Sequence, residues 1–264
     1  MQEILIIPDI HGNAFFKEAL YDAVSNNVEV VCLGDYLDPY IEDDITNDEA
    51  FALFEELLEI KKASPHMIHL LIGNHDSSYL YTPKMCLARY DWKNTNRNHE
   101  FFMRNALHFD LYYETNISGK RFLFSHAGIT SRWLLENGYS LHNIDEALRS
   151  LKKEYLEYCL DPSRIAIWEK LSFVSKDRGG MHNTGSMIWA DFFEHTDESN
   201  WLKDDDITQI VGHTQLNFHP VRVLDKLFCL DCREPFYINE DGIICSWRTD
   251  DSIMNTDNLV YKKK

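Results

Sequence analysis

The stretch VVCLGDYLDPY, Val30 to Tyr40, decides how the chain is read. A short apolar run, Val30 to Leu33, stops at Gly34, and two carboxylates follow, Asp35 and Asp38. This is the pattern of a buried strand that ends in a turn and delivers acids at its C-terminal edge. In open α/β sheets, sites form along that edge. The chain repeats the pattern with other polar residues: Ile4 to His11, Ile68 to Asp76, Phe122 to His126 and Ile207 to His213. Each is an apolar run that closes in Asp, Asn or His. The reading that follows is convergence of these strand ends around metal ions, with Asp35 between them.

The surrounding elements are consistent with that frame. Glu3 to Pro8 reads as a strand. Asn13 is placed to cap a helix reaching Asn27, with Phe16, Leu20 and Val24 on one face. Val28 to Leu33 is the second strand, giving a β-α-β unit with parallel neighbours. Thr46 and Glu49 fit a capping box for a helix ending near Ala63. Met67 to Ile72 is a third strand. Leu111 to Ile117 and Arg121 to Phe124, around Ser118-Gly119, read as a hairpin. Ile144, Ala147, Leu148, Leu151 and Tyr155 form a helical stripe behind a capping pair, Asn143 and Glu146. Val221 to Leu224, Leu227 to Leu230 and Ile243 to Trp247 look like antiparallel strands with turns at Asp225-Lys226 and Asp241-Gly242. A single domain over residues 1–264 is expected, with a peripheral, mainly helical insertion at about 130–200.

The composition is globular, with 44% hydrophobic and 26% charged residues. The formal net charge is −17. Such acidity argues against non-specific binding to nucleic acid or an anionic membrane, because neither phosphate surface is attracted. A phosphorylated substrate stays compatible, since bound cations reverse the local field. The cysteines are thinly spread and read as free thiols of a reducing compartment. Cys229 and Cys232 lie on opposite faces of a strand-like run, which disfavours a shared metal or a disulfide. No apolar run reaches membrane-spanning length, and the N-terminus does not read as a signal peptide. A cytoplasmic protein is the expectation.

The strand-end residues are Asp9, His11, Asp35, Asn74, His126 and His213. They offer oxygen and imidazole donors and no thiolate, a set suited to Mn, Fe, Zn or similar divalent ions. A shared acid favours two ions over one. Two ions about 3.5–4 Å apart clamp an in-line displacement at phosphorus and make hydroxide available near neutral pH.

In order along the chain, Asp9-x-His11, Gly34-Asp35-x-x-Asp38, Gly73-Asn74-His75-Asp76, Ser125-His126-Ala127-Gly128 and Gly212-His213-Thr214 resemble the five blocks of the calcineurin-like metallophosphoesterase superfamily. The resemblance runs from residue 4 to about 232. It implies an α/β fold, a four-layer α/β/β/α sandwich of two mixed sheets flanked by helices. It implies that Asp9 and His11 hold a first metal, that Asp35 bridges, and that Asn74, His126 and His213 hold a second. By the same resemblance His75 serves as general acid, with Asp38 on its other ring nitrogen.

Many phosphodiesterases of this superfamily end in Gly-His-x-His, and here the last place is Gln215. The remaining blocks, with Ile188-Trp189-Ala190-Asp191, are more similar to the Ser/Thr protein phosphatases and the symmetrical diadenosine tetraphosphatases. Those phosphatases carry a phosphate-holding Arg after the second Asp of their block, where this chain has Pro39. Arg178 and Arg132 are the candidates to replace it. The expected activity is hydrolysis of a phosphate monoester by direct attack of metal-bound hydroxide. A nucleotide pyrophosphohydrolase or phosphodiesterase is the alternative, and an inactive binding scaffold a third reading, disfavoured because every ligand position is filled.

Overall fold

A computed structural model describes residues 3–81, 89–202, 206–216, 219–223 and 226–253. The chain divides into two compact units, Met1–Asp110 with Arg233–Met254, and a second that contains Leu111–Cys232.

The first unit is built on four parallel strands: β1 (Ile4–Ile7), β2 (Glu29–Cys32), β3 (Ile68–Leu71) and β4 (Phe109–Asp110). The first three are buried almost throughout, as strands covered on both faces must be. Helix α1 (Lys17–Ser25) connects β1 to β2, and α2 (Asn47–Ala63) connects β2 to β3. Helix α2 opens with the expected capping box, in which Thr46 Oγ1 accepts Glu49 N and the Glu49 carboxylate accepts Thr46 N. At its other end Lys61 Nζ donates to the carbonyls of Pro65 and Ile68, which fixes the entry into β3. Two further helices follow β3, α3 (Asn74–Leu80) and α4 (Thr95–Asn105). Aromatic rings fill the space under α2 and α4: Tyr36 stacks on Phe54 at 4.6 Å, and Phe102 and Phe109 close around them.

The second unit begins with the expected hairpin, β5 (Tyr112–Ile117) and β6 (Lys120–Ser125), in full antiparallel register. Helices α5 (Ser131–Glu136), α6 (Ile144–Leu160) and α7 (Ala166–Leu171) come next. Asn143 Oδ1 caps α6 by accepting Glu146 N. Strand β7 (Ile207–Val211) pairs in parallel with β6, and β8 (Val221–Val223) and β9 (Leu227–Cys229) complete a mixed sheet in the order β5-β6-β7-β9-β8.

The chain then adds β10 (Phe236–Ile238) and β11 (Ile244–Ser246) to the first sheet, whose order is β11-β10-β1-β2-β3-β4. Both sheets are therefore mixed, with helices beside them, as the resemblance implies.

Local differences have physical causes. Helix α1 starts at Lys17 and not near Asn13, because the Asn13 side-chain Oδ1 accepts Phe15 N two residues on and holds a turn there. Gly73-Asn74-His75-Asp76 is the start of helix α3 and not a free turn, because the Asp76 carboxylate accepts Gly73 N. Asp225, part of one expected turn, lies outside the described residues.

Candidate metal centre

Three turns of the first unit meet at the C-terminal edge of its parallel strands. The turn after β1 is held to the turn after β2 by backbone bonds: the amides of Ile10 and His11 donate to Asp35 O, and Gly12 N donates to Tyr36 O. The turn after β2 is held to the start of α3 by Asp76. Its carboxylate accepts Asp35 N at 2.7 Å, Tyr36 N at 3.0 Å and Gly73 N at 2.9 Å. Gly73 admits no substitute, since a Cβ there would lie 2.1 Å from Asp35 Oδ1.

This bracing forces an unfavourable backbone. His11, Asp35 and Asp38 have φ of 44°, 52° and 61°, and His213 in the second unit has 66°. Left-handed conformations of non-glycine residues cost on the order of 1 kcal/mol or more each, and they gather where a site over-determines the chain.

Asp9, His11, Asp35, Asp38, Asn74 and His75 are all buried. His11 Nδ1 donates to Leu37 O at 2.9 Å, which fixes the tautomer and leaves Nε2 with its lone pair. That nitrogen is 3.6 Å from Asp35 Oδ2. Burial, against the pull of Asp35, pushes the His11 ring down to about 3, so it stays neutral as a ligand must. His11, Asp35 and His75 each place one donor atom within 4.8 Å of the others. Burial, then the charge of Asp35, pushes the Asp76 carboxyl up, while its amide donors oppose the shift. The direction reflects how closely the Asp35 and Asp76 carboxyls are buried together, and a cation at Asp35 would ease that repulsion.

His75 Nδ1 lies 2.6 Å from Asp38 Oδ2, and the second Asp38 oxygen accepts Tyr79 OH at 2.6 Å. Burial alone would lower the His75 pKa, but the charge of Asp35 and the bond to Asp38 outweigh it, and the net direction is up. The contacts therefore favour the protonated ring.

In the second unit, His126 follows β6 and His213 follows β7. His126 Nε2 and His213 Nδ1 are 3.1 Å apart, with the rings at 62°. Gly212 N donates to His126 O, which ties the two strand ends together. Two imidazole nitrogens each about 2.0–2.1 Å from one ion would lie about this far apart, so the pair fits joint ligation. The donor types in both units, with no thiolate, suit hard to borderline divalent ions.

The two arginines named from the sequence lie in the second unit. Arg178 pairs with Asp191 at 2.6 Å and donates to Thr214 Oγ1, next to His213. Arg132 is exposed on α5. Three residues of the first unit were not given a role from sequence: Asp76, Tyr79 and Arg89. Arg89 Nη2 lies 3.2 Å from His11 Nε2, and its Nε donates to Asp38 O at 3.2 Å. For Asp76 a signal existed, an acid three residues past a glycine that opens a helix. Tyr79 and Arg89 carry none.

Comparison with known proteins agrees with this arrangement. A family model described as calcineurin-like phosphoesterase matches residues 3–245. A cold-active protein-tyrosine phosphatase of the psychrophile Shewanella sp. superposes with a TM-score of 0.58 at 16% identity, over 93% of this chain and 80% of that one. A protein serine/threonine phosphatase from Saccharomyces cerevisiae gives 0.48 at 14% identity, over 93% and 79%. No curated protein matches this sequence. The match of the family model over nearly the whole chain, on strand ends that carry these Asp, Asn and His residues, places the protein among the calcineurin-like phosphoesterases, which are metal-dependent hydrolases of phosphoric esters.

Proposed function

We propose that the protein hydrolyses a phosphate monoester, with Asp9, His11, Asp35, Asn74, His126 and His213 holding two divalent ions. In this reading Asp9 and His11 belong to one ion, Asn74, His126 and His213 to the other, and Asp35 to both. The ions supply Lewis-acid stabilisation of the phosphoryl oxygens and an activated water.

The observation that carries the monoesterase reading is the contact between His75 and Asp38. Hydrolysis of a monoester expels an alkoxide or phenoxide, which needs a proton. His75, its Nδ1 engaged by Asp38, keeps a second proton on Nε2 for that oxygen. Asp38 fixes the ring and favours its cationic form, and Tyr79 fixes Asp38. Asp76 holds the Asp35 turn against α3, so the carboxylate is positioned before any ion binds. The fold shared with a protein-tyrosine phosphatase is compatible with a phosphomonoester substrate.

The test is hydrolysis of phenyl phosphate, whose leaving oxygen needs a proton, by the Mn²⁺-loaded protein. The reading expects turnover that falls by about a hundredfold or more in Asp35→Asn and His75→Asn, the range for loss of a general acid or a shared ligand. Activity that survives Asp35→Asn overturns it. A preference for dinucleoside polyphosphates or diesters over monoesters would replace the substrate class and keep the site.

A further inference from the structure

We propose that Arg89 is the cation that receives the substrate's phosphoryl group. The inference rests on the phosphoesterase reading above. The motif blocks leave this task unassigned, since Pro39 follows Asp38. A monoester near neutral pH carries close to two negative charges, and the first unit surrounds its site with buried carboxylates, Asp9, Asp35, Asp38 and Asp76. An anion entering that field needs a fixed positive group beside the ions.

Arg89 is held as such a group would be. Its Nε donates to Asp38 O and its Cζ lies 3.6 Å from the centre of the Tyr40 ring. Nη2 lies 3.2 Å from His11 Nε2, a contact that metal ligation by that nitrogen would replace, turning Nη2 toward the ions' side of the site. The Tyr40 ring in turn meets His11 edge-on, with centroids 4.8 Å apart. Pro39 fixes its own φ, so the carbonyl that receives Nε and the ring beneath the guanidinium belong to one stiff turn. The contacts orient the guanidinium without neutralising it.

Several other arginines are already committed to acids. Arg97 pairs with Asp48, Arg121 with Glu114 and Asp145, Arg178 with Asp191 and Arg233 with Asp43. Among the described residues no carboxylate pairs with Arg89. Arg89 rests instead on an aromatic face and a carbonyl, and keeps N–H donors on the edge of its fork. That edge matches two oxygens of a phosphoryl group. Arg178, with its ion pair to Asp191, is already committed.

The experiment is calorimetric titration of inorganic phosphate into the Mn²⁺-loaded full chain, wild type, Arg89→Ala and Arg89→Lys, with KM for p-nitrophenyl phosphate measured in parallel. The proposal expects Arg89→Ala to weaken phosphate binding by about tenfold or more, the loss of a charge-assisted hydrogen-bond pair, and to raise KM by a similar factor. Arg89→Lys should fall between, because it keeps the charge and loses the fork. Phosphate affinity of Arg89→Ala within about twofold of wild type overturns the proposal. If Arg89→Ala does not fold, Arg89→Lys decides: about threefold weaker binding supports it and wild-type affinity overturns it. The two readings separate cleanly. Hydrolysis with unchanged phosphate affinity in the variants sinks Arg89 alone. Arg89-dependent phosphate binding without hydrolysis of any ester sinks the phosphatase reading alone.

Discussion

The Asp76 carboxylate receives the backbone amide of Asp35 at 2.7 Å, across 41 residues of chain. Through that bond, and those to Tyr36 and Gly73, a fully buried acid sets where the Asp35 turn stands. Asp76→Asn keeps one acceptor oxygen and turns an NH₂ toward a backbone N–H. We expect a loss of about 1–3 kcal/mol of stability, the cost of a buried donor left unpaired, together with weaker metal binding. Urea unfolding and metal titration of the variant check this. Unaltered stability would show that the turns after β2 and β3 hold themselves.

Tyr79 acts one step further out. Its hydroxyl donates to Asp38 Oδ1 and accepts Asp91 N at 3.0 Å, so it braces the carboxylate that orients His75. Tyr79→Phe should lower kcat for phenyl phosphate by about three- to tenfold with little change in KM, because it loosens the proposed proton donor and not the binding groups. The thermal midpoint should drop by only a few degrees, in line with about 1 kcal/mol for one hydrogen bond. A rise in KM at constant kcat would contradict this role.

Buried imidazoles make the fold acid-sensitive in a defined direction. His195 donates from Nε2 to Ala127 O at 3.0 Å, and burial holds its pKa below the ordinary histidine value, against that bond and nearby acids. The folded state therefore binds a proton less readily than the unfolded chain. The stabilisation it gives is complete above the unfolded value of about 6.5 and is lost as pH falls below it. His195→Gln, which can still donate to Ala127 O, should flatten the decline in urea midpoint between about pH 7.5 and 5.5. His11, lowered for the same reason, keeps part of the decline in both proteins. Identical slopes in the two would exclude His195 as a contributor.

The strand ends were legible because each couples a short apolar run to a polar terminus, a local signal. Val30 to Leu33 before Gly34-Asp35 and Phe122 to Phe124 before Ser125-His126 fold as the pattern states. The capping box at Thr46 was legible for the same reason. What acts across the chain was not. Phe236–Ile238 pairs with Ile4–Ile6, and nothing in its short run indicates so distant a partner. Arg89 reaches His11 across 78 residues, and from sequence it is one arginine in an aromatic-rich stretch. Asn13 looked like a cap but spends its side chain on a local turn, a competition between equal hydrogen bonds that residue type does not decide.

The central claim is that these Asp, Asn and His residues hold two ions with Asp35 common to both. Metal analysis of the purified, Mn²⁺-equilibrated protein tests it most directly, in wild type and Asp35→Asn. The account predicts about two divalent ions per wild-type chain and about one or fewer in the variant, since a shared carboxylate is lost to both positions. Fewer than about one ion in the wild type, or two retained in Asp35→Asn, would contradict it.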